Sequence, residues 1–205
     1  MVLSEKRIRE RLFDQATPEQ KRLYVTPILD PERQIKEASI DVRLGNEFIV
    51  TQQTNLSSLD PSQGEKIEDN IERYQNLTRV QFGQEFILHP SHLVLGCTLE
   101  YVSMPTDLAC QVLGRSSWGR LGLIIATATT VSPGFKGSIT LELVNFGPVP
   151  IMLHPGVSIA QLVFEEVDGD APYVGRYNCP TGPQFSRIHR DDDVKFWASY
   201  GRRAE

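Results

Sequence analysis

Residues 114–147 read GRSSWGRLGLIIATATTVSPGFKGSITLELVNFG. Within it, SITLELV (138–144) alternates Ile139, Leu141 and Leu143 with Ser138, Thr140 and Glu142, the period of two that marks a β-strand. LGLII (121–125) is a second apolar run, and Pro133-Gly134 turns the chain between the two. The same grammar recurs in EFILHP (85–90), HLVLGCTLEYV (92–102), ACQVLG (109–114), VPIMLHPG (149–156) and SIAQLVFEEV (158–167). Short apolar runs punctuated by Gly and Pro predict an all-β sandwich or barrel, not alternating βαβ units.

Working outward, Ser4–Leu12 predicts a short N-terminal helix, with Ser4 at the N-cap, Glu5 at the positive end of the dipole, and Ile8 and Leu12 on one apolar edge. ASIDVRLG (38–45) predicts a strand, with Ile40, Val42 and Leu44 on one face and Asp41 and Arg43 on the other. Residues 51–78 are polar and weakly periodic, which predicts a surface excursion with one short helix near Glu65–Tyr74. The Gly/Pro-broken, charged tail predicts a C-terminal arm or lid over 176–205, following a β domain over 1–175.

The 205 residues suit one well-packed domain. A formal charge of −5 argues against a broad nucleic-acid-binding face, but leaves room for a few arginines around one small anion. No run reaches the length of a membrane span, the N-terminus has no apolar signal core, and Cys97, Cys110 and Cys179 have no disulfide or zinc-knuckle spacing. A cytoplasmic protein with reduced thiols is the expectation.

Three features carry chemistry. Gly114-Arg115-Ser116-Ser117 offers a turn whose N–H groups, hydroxyls and arginine suit phosphate oxygens, though a solvated polar turn looks the same. Arg120 follows Ser116 by four, so one helical turn puts both side chains on one face. Glu142 shares its strand face with Ser138 and Thr140. If that face meets solvent the carboxylate is ordinary, and if it lines a pocket, desolvation suits it to proton transfer. The zinc-deaminase signature, H-x-E with P-C-x-x-C, is absent from the sequence.

At these residues the chain resembles the dCTP deaminase family of the dUTPase-like superfamily. The likeness runs through LSEKRIRERL and ASIDVRLGNEF, FILHPSHLVLGCTLEYVSMPTDLACQVLGRSSWGRLGL, PGFKGSITLELVNFGPVPIMLHPGVSIAQLVFE, and RYNCPTGPQFSR. The resemblance implies a distorted, jelly-roll-type β-barrel assembled as a homotrimer with inter-subunit active sites. It also implies hydrolysis of dCTP to dUTP and ammonia without zinc, with Mg²⁺ carried on the triphosphate, and no nucleic-acid or membrane partner. Residue by residue, Glu142 matches the catalytic glutamate. Ser116 and Arg120 match pocket residues that help hold the attacking water and the base. Arg115 and Ser117 match phosphate-contacting positions, Tyr173 a nucleotide-contacting tyrosine, and Ala128 lies near a base-contacting alanine. Ser132, Thr140 and Arg176 complete the expected substrate-binding set.

The chain departs from the family where Val131-Ser132-Pro133-Gly134 replaces the usual I-D-P-G or I-D-A-G, so an aspartate is missing. Ser132 can hydrogen-bond a sugar hydroxyl but cannot act as the general base of a dUTPase. In the tail, Arg176-Tyr177 stands where Lys-Tyr is common, and Pro180 falls near an expected glutamine. The alternatives are a dUTPase or bifunctional deaminase–diphosphatase, and a nucleotide-binding regulator without turnover.

Overall fold

The structure, a computed structural model, describes all residues except 53–54, 64, 127–129, 170–172, 178 and 202–205. In chain order the elements are α1 (Glu5–Phe13), β1 (Tyr24–Thr26), α2 (Pro31–Gln34), β2 (Ile40–Arg43), β3 (Glu47–Thr51), α3 (Glu65–Tyr74) and β4 (Gln75–Arg79). There follow β5 (Phe86–Leu88), β6 (Leu93–Ser103), β7 (Leu108–Gly114), α4 (Ser116–Gly119), β8 (Leu123–Ile125) and β9 (Thr130–Val131). The last are β10 (Lys136–Asn145), β11 (Ile151–Leu153), β12 (Ser158–Glu166) and α5 (Asp192–Gly201).

The strands form an all-β core. One sheet runs β4-β3-β6-β10-β8, with β1 also paired to β6; a second runs β2-β12-β7-β9; β5 and β11 pair separately. The expected barrel is corrected in one respect: these are open sheets with edges, not one closed cylinder. Inward residues of both large sheets, among them Phe48, Leu141, Leu143, Val112, Leu162 and Phe164, bury one continuous apolar core. Phe48 stacks on Phe86 with ring centroids 4.4 Å apart.

β2 is buried along its whole length, because its polar face also meets protein. There Glu100, fully buried, accepts from Arg43 Nε at 2.6 Å, from the Arg43 backbone N–H at 2.8 Å and from Gln34 Nε2 at 3.2 Å. Arg43 also donates to the Pro27 carbonyl at 2.7 Å. Two charges taken out of water are tolerated only when their remaining hydrogen-bonding capacity is used in this way.

The N-terminal helix forms as expected, with Ile8 buried, but the Ser4 side chain makes no capping hydrogen bond. The excursion over 51–78 is more than surface: α3 buries Ile67 and Ile71, and β4 extends the large sheet beyond β3. Its polar composition hid the strand, because β4 sits at an edge and exposes all but its first residue.

Candidate active site

β10 is the backbone of the site. It pairs with β6, and a register shift between Ser138 and Thr140 interrupts the ladder. Such a bulge twists the strand locally, and here Ser138, Ile139, Thr140 and Glu142 all line one cavity of about 430 Å³. The hydroxyl of Thr98 accepts from the Ile139 N–H at 2.9 Å and donates to the Glu100 carbonyl at 2.8 Å, tying the bulge to the buried ion pair.

The alternative left open by strand alternation is resolved: Glu142 faces the cavity, beside Leu95 and Leu93 from β6. Burial pushes its carboxyl above the usual glutamate range. Ser132 and Thr140 line the same cavity, as does Tyr173, whose ring meets Phe135 edge-on at 5.7 Å.

The tail forms one wall. The N–H of Cys179 donates to the Lys136 carbonyl at 3.0 Å, and the N–H of Ser138 donates to the Pro180 carbonyl at 2.7 Å. Gly137 has φ +144°, and a Cβ there would lie 2.3 Å from Pro180 Cδ. Only glycine admits the tail at this distance. Farther on, the N–H of Gln184 donates to the Thr140 hydroxyl at 3.2 Å, and Tyr177, Pro180, Gln184 and Ser186 complete the wall.

The second expected group lies elsewhere. α4 forms the anticipated helical turn, with the Arg120 N–H donating to the Ser116 carbonyl at 3.0 Å. Ser116, Ser117 and Arg120 are exposed. Arg115 is half-buried, 3.6 Å from Asp41 Oδ2, and donates to the Ser158 carbonyl at 3.3 Å. None of these four lines the Glu142 cavity within one chain. Arg176 lies outside it as well, donating to Asp191 at 2.6 Å. That bond holds the Asp191 carboxyl below the usual aspartate range. Ala128 lies outside the described residues.

Sequence reasoning missed Gln75, Tyr177 and Gln184 in the cavity wall, and Asp41 behind Arg115. Tyr177, four residues after Tyr173 in the tail, had a signal of a kind. Asp41 had a clearer one, an acid inside the strand IDVR. Burial raises its carboxyl, and Arg115 and Lys36 pull it back down. Among the described residues no three His, Cys, Asp or Glu side chains gather into a metal site. The arginines and hydroxyls of the α4 turn are donors suited to phosphate oxygens.

The structure thus sets a pocket carboxylate on a strand of an all-β fold, walled by the chain's own tail and separate from an arginine–serine turn. Residues 2–167 match the dCTP deaminase-like family model, and the chain belongs to that family. It is 43% identical over 198 residues to a dCTP deaminase of Natronomonas pharaonis, covering 93% of this chain and 96% of that protein. The same identity and coverage relate it to a dUMP-forming dCTP deaminase of Halobacterium salinarum. The fold is similar to the crystal structure of 2′-deoxycytidine 5′-triphosphate deaminase from Agrobacterium tumefaciens, with a TM-score of 0.57 and 22% identity. That match covers 80% of this chain and 46% of the longer one.

Proposed function

We propose that this chain is a hydrolytic deaminase converting dCTP to dUTP and ammonia. The observation that carries the reading is Glu142, a carboxyl facing the cavity and raised by burial, on a chain whose relatives at 43% identity are named for this reaction.

C4 of cytosine is a poor electrophile until N3 is protonated. The Glu142 carboxylate takes a proton from water as the oxygen attacks C4, and delivers it to N3. In the tetrahedral intermediate it moves a second proton from the new hydroxyl to the amine, and the C4–N bond breaks to release ammonia. A raised pKa suits a group that must both accept and return a proton near neutral pH. Ser132 and Thr140 supply hydroxyls for the sugar or base, and Tyr173 a ring edge. The Arg115-Ser116-Ser117 turn would hold the triphosphate. Mg²⁺ would enter bound to the phosphates and balance their charge, with no zinc in the scheme.

Since Ser116 and Arg120 stand apart from Glu142 in one chain, we infer that a second copy brings its α4 turn to the cavity in a homotrimer. Leu121, Ile124 and Phe146 support this, being apolar side chains left exposed beside that turn. Cytoplasmic location is consistent with three thiols and no disulfide pairing among them.

A second reading has its own support: relatives as similar as the first are named dUMP-forming. Loss of pyrophosphate from dUTP would need a base for the attacking water, and Ser132 is a poor one, so deamination alone is favoured. The test is purified protein with Mg²⁺ and a panel of dCTP, CTP, dCMP and dUTP, read separately for ammonia and pyrophosphate. Ammonia from dCTP without pyrophosphate is expected; pyrophosphate as well would establish the bifunctional reading, and neither product would overturn both.

A further inference from the structure

Gln75 is the first residue of β4 and the only buried one in that strand; Asn76 to Arg79 are exposed. It is 8% exposed, lines the Glu142 cavity, and its Oε1 is buried with no hydrogen-bond partner among the described residues. Leaving a buried acceptor unmet costs stability, and an apolar residue of the same shape would avoid that cost. An edge strand has no folding need for a glutamine there.

The topology says what it faces. Gln75 pairs with Thr51 on β3, two residues along from the rung on which Leu77 pairs with Ile49, Ile49 with Leu95 on β6, and Leu95 with Glu142 on β10. Successive residues alternate faces and the sheet order is continuous, so Gln75 and Glu142 stand on the same sheet face with Leu93 and Leu95 between them. Three strand spacings across and two residues along separate their backbones, roughly 16 Å, which leaves room for a small planar group between the two side-chain ends. The floor between is apolar, as the flat of a base or sugar requires, with one polar group at each end.

We propose that Gln75 is a further substrate-binding residue of this site, its amide hydrogen-bonding the bound nucleotide. The proposal rests on the reading of the cavity as the nucleotide pocket. The terminal torsion of a glutamine is broad, so the amide turns to present Oε1 to a donor or Nε2 to an acceptor. That freedom suits a site that must hold a cytosine amino group before reaction and a uracil carbonyl after it; the sugar 3′-hydroxyl offers the same neutral chemistry.

The test compares the wild-type protein with Gln75→Met, which keeps length and removes the amide. Ligand-free Gln75→Met is expected to melt at or above the wild-type temperature, while its KM for dCTP rises about five- to tenfold with a smaller change in kcat. With 2′,3′-dideoxycytidine triphosphate, an undiminished KM ratio assigns the contact to the base edge and a ratio near one assigns it to the 3′-hydroxyl; either supports the proposal. Unchanged KM and kcat for dCTP, at any melting temperature, overturn it and leave Gln75 holding only water. Should Gln75→Met misfold, Gln75→Asn, which withdraws the amide by one methylene, gives the same readout. Absence of ammonia release by the wild type would instead refute the deaminase reading, and this inference with it.

Discussion

The Arg115 guanidinium lies 3.6 Å from Oδ2 of Asp41, so the head of the arginine–serine turn is held by a buried carboxylate from a different sheet strand. Desolvation raises the Asp41 carboxyl, and Arg115 and Lys36 oppose the rise. If Arg115 binds phosphate, Asp41 is a positioning residue. Asp41→Asn is expected to raise KM for dCTP about three- to tenfold with kcat less affected, because a neutral amide holds the guanidinium less well. A Lys-like salt sensitivity of KM in the variant would mark lost orientation, and an unchanged KM would remove Asp41 from the site.

Glu142 titrates above the ordinary glutamate range because it is partly buried. The folded state therefore holds the proton more tightly than the unfolded chain, and stability falls as pH rises between the two pKa values. Glu142→Gln removes that loss. Its melting temperature should exceed the wild-type value at neutral pH and converge with it below the ordinary carboxylate range. Ammonia release should fall by at least about 100-fold, with nucleotide binding retained in calorimetry. Equal turnover would end the assignment of Glu142 as proton carrier.

The separation of Glu142 from the α4 turn makes a mixing experiment decisive. Glu142→Gln and Ser116→Ala are each expected to be nearly inactive alone. Refolded together, or co-expressed, they should regain part of the wild-type rate, since some interfaces then pair an intact carboxylate with an intact turn. A mixture as inactive as its components would mean that one chain holds the whole site.

Arg43 and Glu100 form a buried pair whose polar capacity is spent on Gln34, Pro27 and the Arg43 backbone. Arg43→Met leaves a carboxylate in the core and should cost about 3–5 kcal/mol in denaturant unfolding. The double variant Arg43→Met/Glu100→Leu should recover part of this loss, because replacing both charges removes the desolvation penalty.

Burial pushes the thiols of Cys97 and Cys110 up to about 12, so neither supplies thiolate at neutral pH. Cys179 is exposed in the tail. A thiol reagent should modify one cysteine per native chain and three after denaturation, and nucleotide binding should slow the native reaction if the tail tightens over the cavity.

How far the sequence alone could be read follows from the range of the forces involved. The alternation of Ile139, Leu141 and Leu143 with Ser138, Thr140 and Glu142 is local, set by the two-residue period of a strand, and it placed β10 and the catalytic candidate on one face. The helix over Glu65–Tyr74 and the turn from Ser116 to Arg120 were legible for the same reason: each closes its hydrogen bonds within a few residues.

The remainder depended on partners distant in sequence. Nothing local shows that Asp41 lies behind Arg115, that Pro180 presses on Gly137, or that a glutamine from a polar excursion reaches the cavity of Glu142. Each is a contact across dozens of residues, made when strands pair in an order unrelated to their sequence. The sequence by itself determined the all-β class, the strand that carries Glu142 and the chemistry available to it. Tertiary structure alone decided that this strand face is enclosed, because burial, and with it a raised carboxyl pKa, arises only when separate segments exclude water from the same space.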